Sequence, residues 1–340
     1  YQQCLRDQVV SWVSGRTKSD VLRAIENAPV DWDPRFVKLF LKSQRVKKID
    51  KAYAKAGKGQ IVTDLSHIKL FRDAVWALYV ERKLMATKSE STYLHSRSPF
   101  SAMSRWYAKF WPQGEGVTYT DYTGWDSGVN EGFSLFYQRL LRSYGVPEFY
   151  LDKFLEERLT SRSFLGPMPA MQFSGDRYTW LLNTVGNMAL TGYLYDIKPG
   201  TVAAFSGDDS ILAGKPEYTP PGDIGLAFVP KVTRAKVGEF CGFQFGGPSL
   251  HIDPRVLIHR GRIALEDGRS DAEFWLSYDH SLHFASRDDH DGSVHLMNAI
   301  AISRFAHKAF GLPPNKFSPP SVVANVPLFE NAVALPFERF

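Results

Sequence analysis

The stretch AAFSGDDSILAG, residues 203–214, sets two acidic side chains side by side after a glycine and between two short apolar runs. The apolar runs read as strands and the glycine as the turn between them, which lifts Asp208 and Asp209 to the tip of a hairpin. Neighbouring carboxylates raise one another's pKa unless a cation lies close, so the pattern asks for a metal ion. Composition alone would place a Gly-Asp-Asp triplet in roughly one chain of this length in ten to twenty. The chemistry therefore has to be supported by the rest of the sequence.

With 340 residues, 44% hydrophobic and 14% aromatic, the chain can bury a large core, and its length predicts two or three lobes. Forty-one Lys and Arg against 36 Asp and Glu leave a net charge of +5, a mild excess that suits a polyanionic partner without identifying one. Two cysteines, Cys4 and Cys241, are too few for a disulfide framework or a thiolate zinc site and fit a reducing compartment. No apolar run has the length of a bilayer span. The opening YQQCLRDQVV has neither a signal-peptide pattern nor an initiator Met and reads as a cut from a longer protein. There is no internal repeat. Residues 1–110 are helical in pattern and basic, residues 111–249 alternate strand-like and helix-like runs, and the remainder is rich in His, Pro and Asp.

Positive charge is concentrated in residues 42–60, KSQRVKKIDKAYAKAGKGQ, where Lys42, Arg45, Lys47, Lys48, Lys51, Lys55 and Lys58 face a single acid, Asp50. A solvated helix face accounts for any one of these lysines. Glycines interleaved with lysines in AKAGKGQ bring backbone and charge together flexibly, as phosphate binding favours. In VTYTDYTGWDSGVNEGF, alternation puts Val117, Tyr119 and Asp121 on one strand face, with Asp121 at the strand's end. Asp126 follows near the start of an amphipathic helix, GFSLFYQRLLRSYGV, where helix capping is its competing reading. In MQFSGDRYTWLLNTVGNMALTGYLYD, Ser174, Gly175 and Asp176 form a loop feeding a helix, and Thr179 and Asn183 share one face of it. Asn183, Thr184, Gly186, Asn187 and Thr191 make that helix polar on one side, and Gly186 suits close approach of a ligand or backbone. If the strand ending at Asp121 lies beside the hairpin, three carboxylates converge, the oxygen ligation that Mg²⁺ or Mn²⁺ takes. Two such ions about 3.5 to 4 Å apart serve phosphoryl transfer.

Taken together, Asp121-Tyr-Thr-Gly-Trp-Asp126, then Ser174 and Gly175 with Thr179, Asn183 and Thr184, then Gly207, Asp208 and Asp209, resemble motifs A, B and C of positive-strand viral RNA-dependent RNA polymerases, in the family's order. FCGFQF from Phe240 resembles motif E of the alphavirus-like supergroup and AKAGKGQ its basic motif F, with the closest likeness to flexivirus and tymovirus (Tymovirales-like) replicases. The resemblance implies an α+β fold, a right-handed polymerase with fingers, a palm built on an antiparallel sheet with flanking helices, and a thumb. Residues 1–110 would be fingers and an N-terminal extension, 111–249 the palm, with part of 130–175 contributing to the fingers, and 250–340 the thumb.

By the same resemblance, Asp121 and Asp208, assisted by Asp209, would hold two Mg²⁺ or Mn²⁺ ions. Asp126, Ser174, Gly175, Thr179 and Asn183 would bind the incoming nucleotide and sense its ribose 2′-hydroxyl, where reverse transcriptases tend to carry a blocking aromatic ring in place of Asp126. Lys55 and Lys58 would neutralise the triphosphate. A motif D lysine, Lys231 in preference to Lys236, would protonate the leaving pyrophosphate, and Cys241 and Phe243 would pack near the primer. Arg45, Lys47, Lys48 and Arg255 would contact RNA, with Arg260 and Arg262 as further candidates. Expected partners are an RNA template with its primer or product, NTPs, and helicase and capping domains of the parent replicase. The expected location is host cytoplasm, in replication complexes whose membrane attachment another segment or a partner supplies. His280, His283, His290 and His295 among Asp279, Asp288, Asp289 and Asp291 lack a regular ligand pair and read as solvated turns or hydrogen-bonded structure ahead of a zinc site.

Overall fold

In the computed structural model, residues 1–7, 33–41, 61–96, 98–220, 230–285 and 290–313 are described. In chain order the strands are β1 (Lys38–Leu41), β2 (Ile61–Asp64), β3 (Thr92–Leu94), β4 (Val117–Tyr122), β5 (Arg162–Ser163), β6 (Gly166–Pro167), β7 (Ala203–Ser206), β8 (Asp209–Ala213), β9 (Pro230–Ala235), β10 (Gly238–Phe240), β11 (Phe243–Phe245) and β12 (His251–Ile252). The helices are α1 (His67–Thr87), α2 (Phe100–Phe110), α3 (Trp125–Gly128), α4 (Glu131–Ser143), α5 (Glu148–Leu159), α6 (Thr179–Leu194), α7 (Pro254–Glu266), α8 (Ala272–His283) and α9 (His290–Ala309). The described residues fall into two compact units, one ending at Gly238 and the other beginning at Glu239.

A five-stranded sheet of order β3-β7-β8-β4-β9 organises the first unit. Its pairings are antiparallel except β3 with β7, which is parallel. The sheet is thus mixed, where the resemblance led us to expect an antiparallel one. The short strand TYL gains no partner from its own neighbourhood and instead extends the sheet along the free edge of β7. Along β4 the alternation is clean near the carboxyl end: Thr118, Thr120 and Tyr122 are buried, and Asp121 is exposed. Thr120 meets the Tyr195 hydroxyl at 2.5 Å, which satisfies a polar group on the buried face.

Helix α6 is buried around most of its circumference and is therefore a central element rather than a surface one. Leu181, Leu182 and Leu194 share a core with Tyr137, Leu141 and Leu151 from the helices that flank it. Gly186 does allow a close approach, but to side chains rather than to a ligand or backbone. A Cβ there would stand 2.7 Å from the Tyr137 hydroxyl and 3.1 Å from the Trp125 ring.

Helices α1 and α5 are joined by buried charge. Arg72 grips Glu157 with two hydrogen bonds of 2.8 and 2.6 Å, Lys69 lies 3.4 Å from Glu157 and pairs with Asp73, and the Tyr150 hydroxyl donates to Asp73 at 2.7 Å. Burial alone would push the Asp73 carboxyl up, but the charges of Lys69 and Arg72 beside it hold it below its ordinary value.

In the second unit, Cys241 and Gly242 both take positive φ, 51° and 83°, between β10 and β11. That is the backbone a tight two-residue hairpin turn demands, with cysteine at a position that favours Asn or Gly. Asp253 and Asp271 cap α7 and α8 by accepting from Arg255 and Phe274 amides at 2.9 and 2.8 Å. Trp275 and Tyr278 are buried at the centre of the helical core. Behind them Asp279 is buried against Ser303 and His307, the latter at 2.8 Å, and burial raises the Asp279 carboxyl. His280 and His283 sit in the last turn of α8, and among the described residues no group of three potential ligands could hold a metal ion. Among the same residues no helix is long and apolar enough to cross a membrane.

Candidate active site

Three elements meet at the exposed end of the sheet: the carboxyl end of β4, the β7–β8 turn and the middle of α6. Ser206 and Asp209 pair across the hairpin, leaving Gly207 and Asp208 as a two-residue turn. Gly207 has φ +60°, the conformation for which the first turn position selects glycine. Strand β4 lies directly beside β8 with Thr120 level with Ser210, so the next step of that register sets Asp121 level with Asp209. On its other side β4 pairs with β9, and Asp121 stands opposite Lys231. Cross-strand partners share a face, so a cation and a carboxylate are neighbours there. Lys236 lies beyond the far end of β9, next to Gly116.

The hairpin is held from beneath by α6. Thr184 accepts the Gly207 amide on its hydroxyl at 2.9 Å, and the Asn187 side-chain amide donates to the Gly207 carbonyl at 3.2 Å. Both peptide groups of the turn glycine are thereby satisfied by one helix face. The Trp180 indole adds a hydrogen bond of 3.3 Å to Ser206, one residue earlier.

One residue before Thr184, the Asn183 amide donates to Asp126 Oδ1 at 3.0 Å. Burial raises the Asp126 carboxyl above its ordinary value; the Asn183 hydrogen bond opposes this and the nearby Asp208 charge adds to it. The Asn183 carbonyl oxygen is buried with no hydrogen-bond partner among the described residues, an acceptor beside a carboxylate. Asp126 does not cap the following helix. Asn130 does, accepting the Phe133 amide at 3.2 Å, because a separate short turn, α3, intervenes between Gly124 and α4.

The loop before α6 carries the remaining predicted positions. Ser174 is exposed. The Gly175 amide donates to Thr63 Oγ1 at 3.1 Å, and a Cβ there would stand 2.3 Å from the Thr63 carbonyl oxygen, so this glycine is required by the passage of β2. The Thr179 hydroxyl reaches the Phe173 and Asp176 carbonyls at 2.7 and 2.9 Å and accepts from Gln172 at 3.2 Å. Thus Asp126, Asn183 and Thr179 are drawn into one network while Ser174 stands outside it. Arg255 is exposed and gripped by Asp253, and Arg260 lies 5.0 Å over the Phe274 ring. Arg45, Lys47, Lys48, Lys55 and Lys58 lie outside the described residues.

The three carboxylates do not close into a cage: among the described residues no group of three potential ligands could hold a metal ion, and Asp208 sits in the turn, off the ladder that levels Asp121 with Asp209. This donor set still fits Mg²⁺, which is commonly bound by one or two carboxylates together with water and substrate phosphates. It lacks the imidazole and thiolate that zinc would favour.

A family model described as RNA dependent RNA polymerase matches residues 7–243. The chain belongs to that family. Among viral relatives, it is 31% identical over 242 residues to the RNA-directed RNA polymerase of Apple chlorotic leaf spot virus (isolate apple), covering 70% of this chain and 13% of that protein. It is 27% identical over 278 residues to the RNA replication protein of Botrytis virus F, covering 81% of this chain and 14% of that protein. It is 34% identical over 251 residues to the genome polyprotein of Apple stem grooving virus (strain Korea), covering 71% and 12%. The chain therefore spans about one eighth of the length of these relatives. The polymerase match ends within the β10–β11 hairpin, so it includes every strand of the five-stranded sheet.

Sequence reasoning did not assign Thr184 and Asn187 to the hairpin, nor single out Gln172 and Arg158 at all. The first pair carried a signal, polar residues at helical spacing in an otherwise apolar helix. The second pair carried none, since an arginine and a glutamine separated by a loop look like surface residues.

Proposed function

We propose that this chain is the catalytic domain of a viral replicase, extending an RNA 3′-hydroxyl with NTPs on an RNA template for genome replication and transcription. The observation that carries this reading is the strand register that levels Asp121 with Asp209 beside the Gly207 turn, next to Asn183 bound to Asp126. Asp121 and Asp208, with Asp209, would hold two Mg²⁺ or Mn²⁺ ions. When bound, such ions activate the attacking hydroxyl and stabilise the leaving pyrophosphate.

The protein's own groups supply position and charge, which is most of what phosphoryl transfer requires. Lys231, whose position opposite Asp121 supports this role, would deliver a proton to the leaving pyrophosphate. Asn183 offers its buried, unpartnered carbonyl oxygen to a ribose hydroxyl, while its amide orients Asp126 as a second acceptor. A 2′-deoxy sugar leaves those acceptors without a donor, and that loss is the basis of discrimination. No side-chain nucleophile is needed. Base pairing chooses the nucleotide, and Arg45, Lys47, Lys48 and Arg255 engage RNA phosphates, with Lys55 and Lys58 on the triphosphate.

In this reading the first unit forms fingers and palm and the helices of the second unit form the thumb. Helicase and capping domains would accompany it in the parent replicase, consistent with relatives that are replication polyproteins, in cytoplasmic complexes attached to membrane elsewhere. The test is extension of an RNA primer on an RNA template with Mg²⁺ or Mn²⁺, comparing the unmodified chain with Asp208→Asn. Extension by the unmodified chain alone, with RNA affinity equal in both, is the expected result. Equal extension by both would remove the carboxylates from the mechanism.

A further inference from the structure

Arg158 is buried to 4% exposure, yet among the described residues it forms no ion pair with any carboxylate. Burial lowers its pKa. A guanidinium in such surroundings is unfavourable unless its N–H donors and its flat faces are used. Both are used, and two of the donors go to one short segment, residues 170–172. Nη1 donates to Gln172 Oε1 at 3.2 Å, Nη2 donates to the Ala170 carbonyl at 3.3 Å, and Nε reaches Ser134 at 3.4 Å. The rings of Tyr137 and Phe154 lie 5.7 and 5.5 Å from the guanidinium carbon. The backbone carbonyl of Arg158 also accepts the Ala170 amide at 2.8 Å. One residue therefore holds Ala170 at both its peptide groups, and Ala170 has φ +62°, a conformation that a residue with a Cβ adopts only when held.

From Ala170 the constraint passes to the candidate site in two hydrogen-bonded steps. An arginine can only donate, so the Gln172 side chain must present its oxygen to Arg158 and its nitrogen to Thr179 Oγ1, 3.2 Å away. Thr179 must then turn its proton toward the Phe173 or Asp176 carbonyl. The donor order of the whole chain is fixed by its first member. With its side chain locked, Gln172 donates its backbone amide to the Asp126 carbonyl at 3.0 Å, and Asp126 carries the carboxylate that Asn183 orients.

We propose that Arg158 is a positioning residue for ribose selection, acting through Gln172 on Asp126. The proposal rests on the reading of Asp126 and Asn183 as the sugar-sensing pair. Arg158→Lys keeps the charge but loses the fork that holds Gln172 and Ala170 together, and Gln172→Met keeps the volume but loses the side-chain relay. Asp126 is then free to drift from Asn183 while Thr184 and Asn187 still hold the Gly207 turn.

The experiment measures kcat/KM for an NTP and for the matching 2′-deoxy NTP in single-nucleotide extension, using the full chain, both variants, Asp126→Ala and the Arg158→Lys/Asp126→Ala double variant. Expected is a loss of ribose preference of roughly tenfold in Arg158→Lys and in Gln172→Met, with RNA affinity unchanged and no further loss when Arg158→Lys is added to Asp126→Ala. A merely structural role would lower NTP and 2′-deoxy NTP use alike, or add in full to Asp126→Ala, and either outcome overturns the proposal. If Arg158→Lys does not fold, Gln172→Met alone decides by the same ratio. Asp126→Ala with undiminished ribose preference would overturn the sugar-sensing reading and the proposal with it. A loss in Asp126→Ala with wild-type preference in the other two would overturn the proposal only.

Discussion

At the scale of single residues, the sugar-sensing role proposed for Asp126 would set function against stability. Its carboxyl is pushed up by burial and by Asp208, so its ionised form is disfavoured in the folded protein relative to the unfolded chain. The sign follows directly. A raised carboxylate pKa means that the folded state binds the proton more tightly, so Asp126 favours folding in acid and loses that contribution as pH rises through its folded pKa. Asp126→Asn keeps an oxygen for the Asn183 amide and removes the half-buried charge. It should raise the melting temperature at pH 7 to 8, the gain should vanish as pH is lowered past the raised pKa, and ribose preference should fall at every pH. Melting curves across that pH range check the first two statements, and a variant less stable than its parent at pH 8 would contradict the burial argument.

At the scale of elements, α6 performs two tasks with adjacent residues: Asn183 holds Asp126 and Thr184 holds the turn between the strands that carry the metal-binding candidates. Thr184→Val is nearly isosteric and removes the acceptor of the buried Gly207 amide, which costs about 1–3 kcal/mol. Primer extension should fall at least tenfold with unchanged RNA binding, and Thr184→Ser should restore most of it; equal behaviour of the Val and Ser variants would show that the hydroxyl is not what holds the turn. The hairpin itself was legible in the sequence because its signals are local: apolar runs, a glycine and paired acids within twelve residues. The spacing of Thr179 and Asn183 was legible for the same reason. The purpose of Thr184 and Asn187 was not, because helical periodicity gives a face and not what lies against it. Arg158 meets Gln172, and Gln172 meets Asp126, only in the folded chain, and the three-residue strand β3 finds its parallel partner far along the sequence, so neither could be read from local pattern. Helix capping could compete as a reading of Asp126 because the short helix α3 that separates it from α4 leaves no compositional trace.

At the scale of the whole molecule, charge is divided by location rather than by total. The net charge of +5 is modest, seven of the 41 basic residues fall within residues 42–60, and the candidate site is lined by Asp121, Asp126, Asp208 and Asp209. On the proposed function, a polyanion would be attracted by one part of the sequence and processed at another that would repel it without counter-charge. This separates affinity from chemistry in a measurable way. Each phosphate that a lysine neutralises on single-stranded RNA contributes about 0.7 to the slope of log affinity against log salt. Replacing Lys47 and Lys48 by Gln should therefore flatten that slope by about 1.4 and weaken binding most at low salt. Asp208→Asn should leave the slope unchanged while extension is lost. The charge distribution accounts for both results only if they occur together: a flattened slope in Asp208→Asn would mean that the hairpin carboxylates take part in holding RNA, and an unchanged slope in the lysine variant would move the phosphate contacts away from residues 42–60.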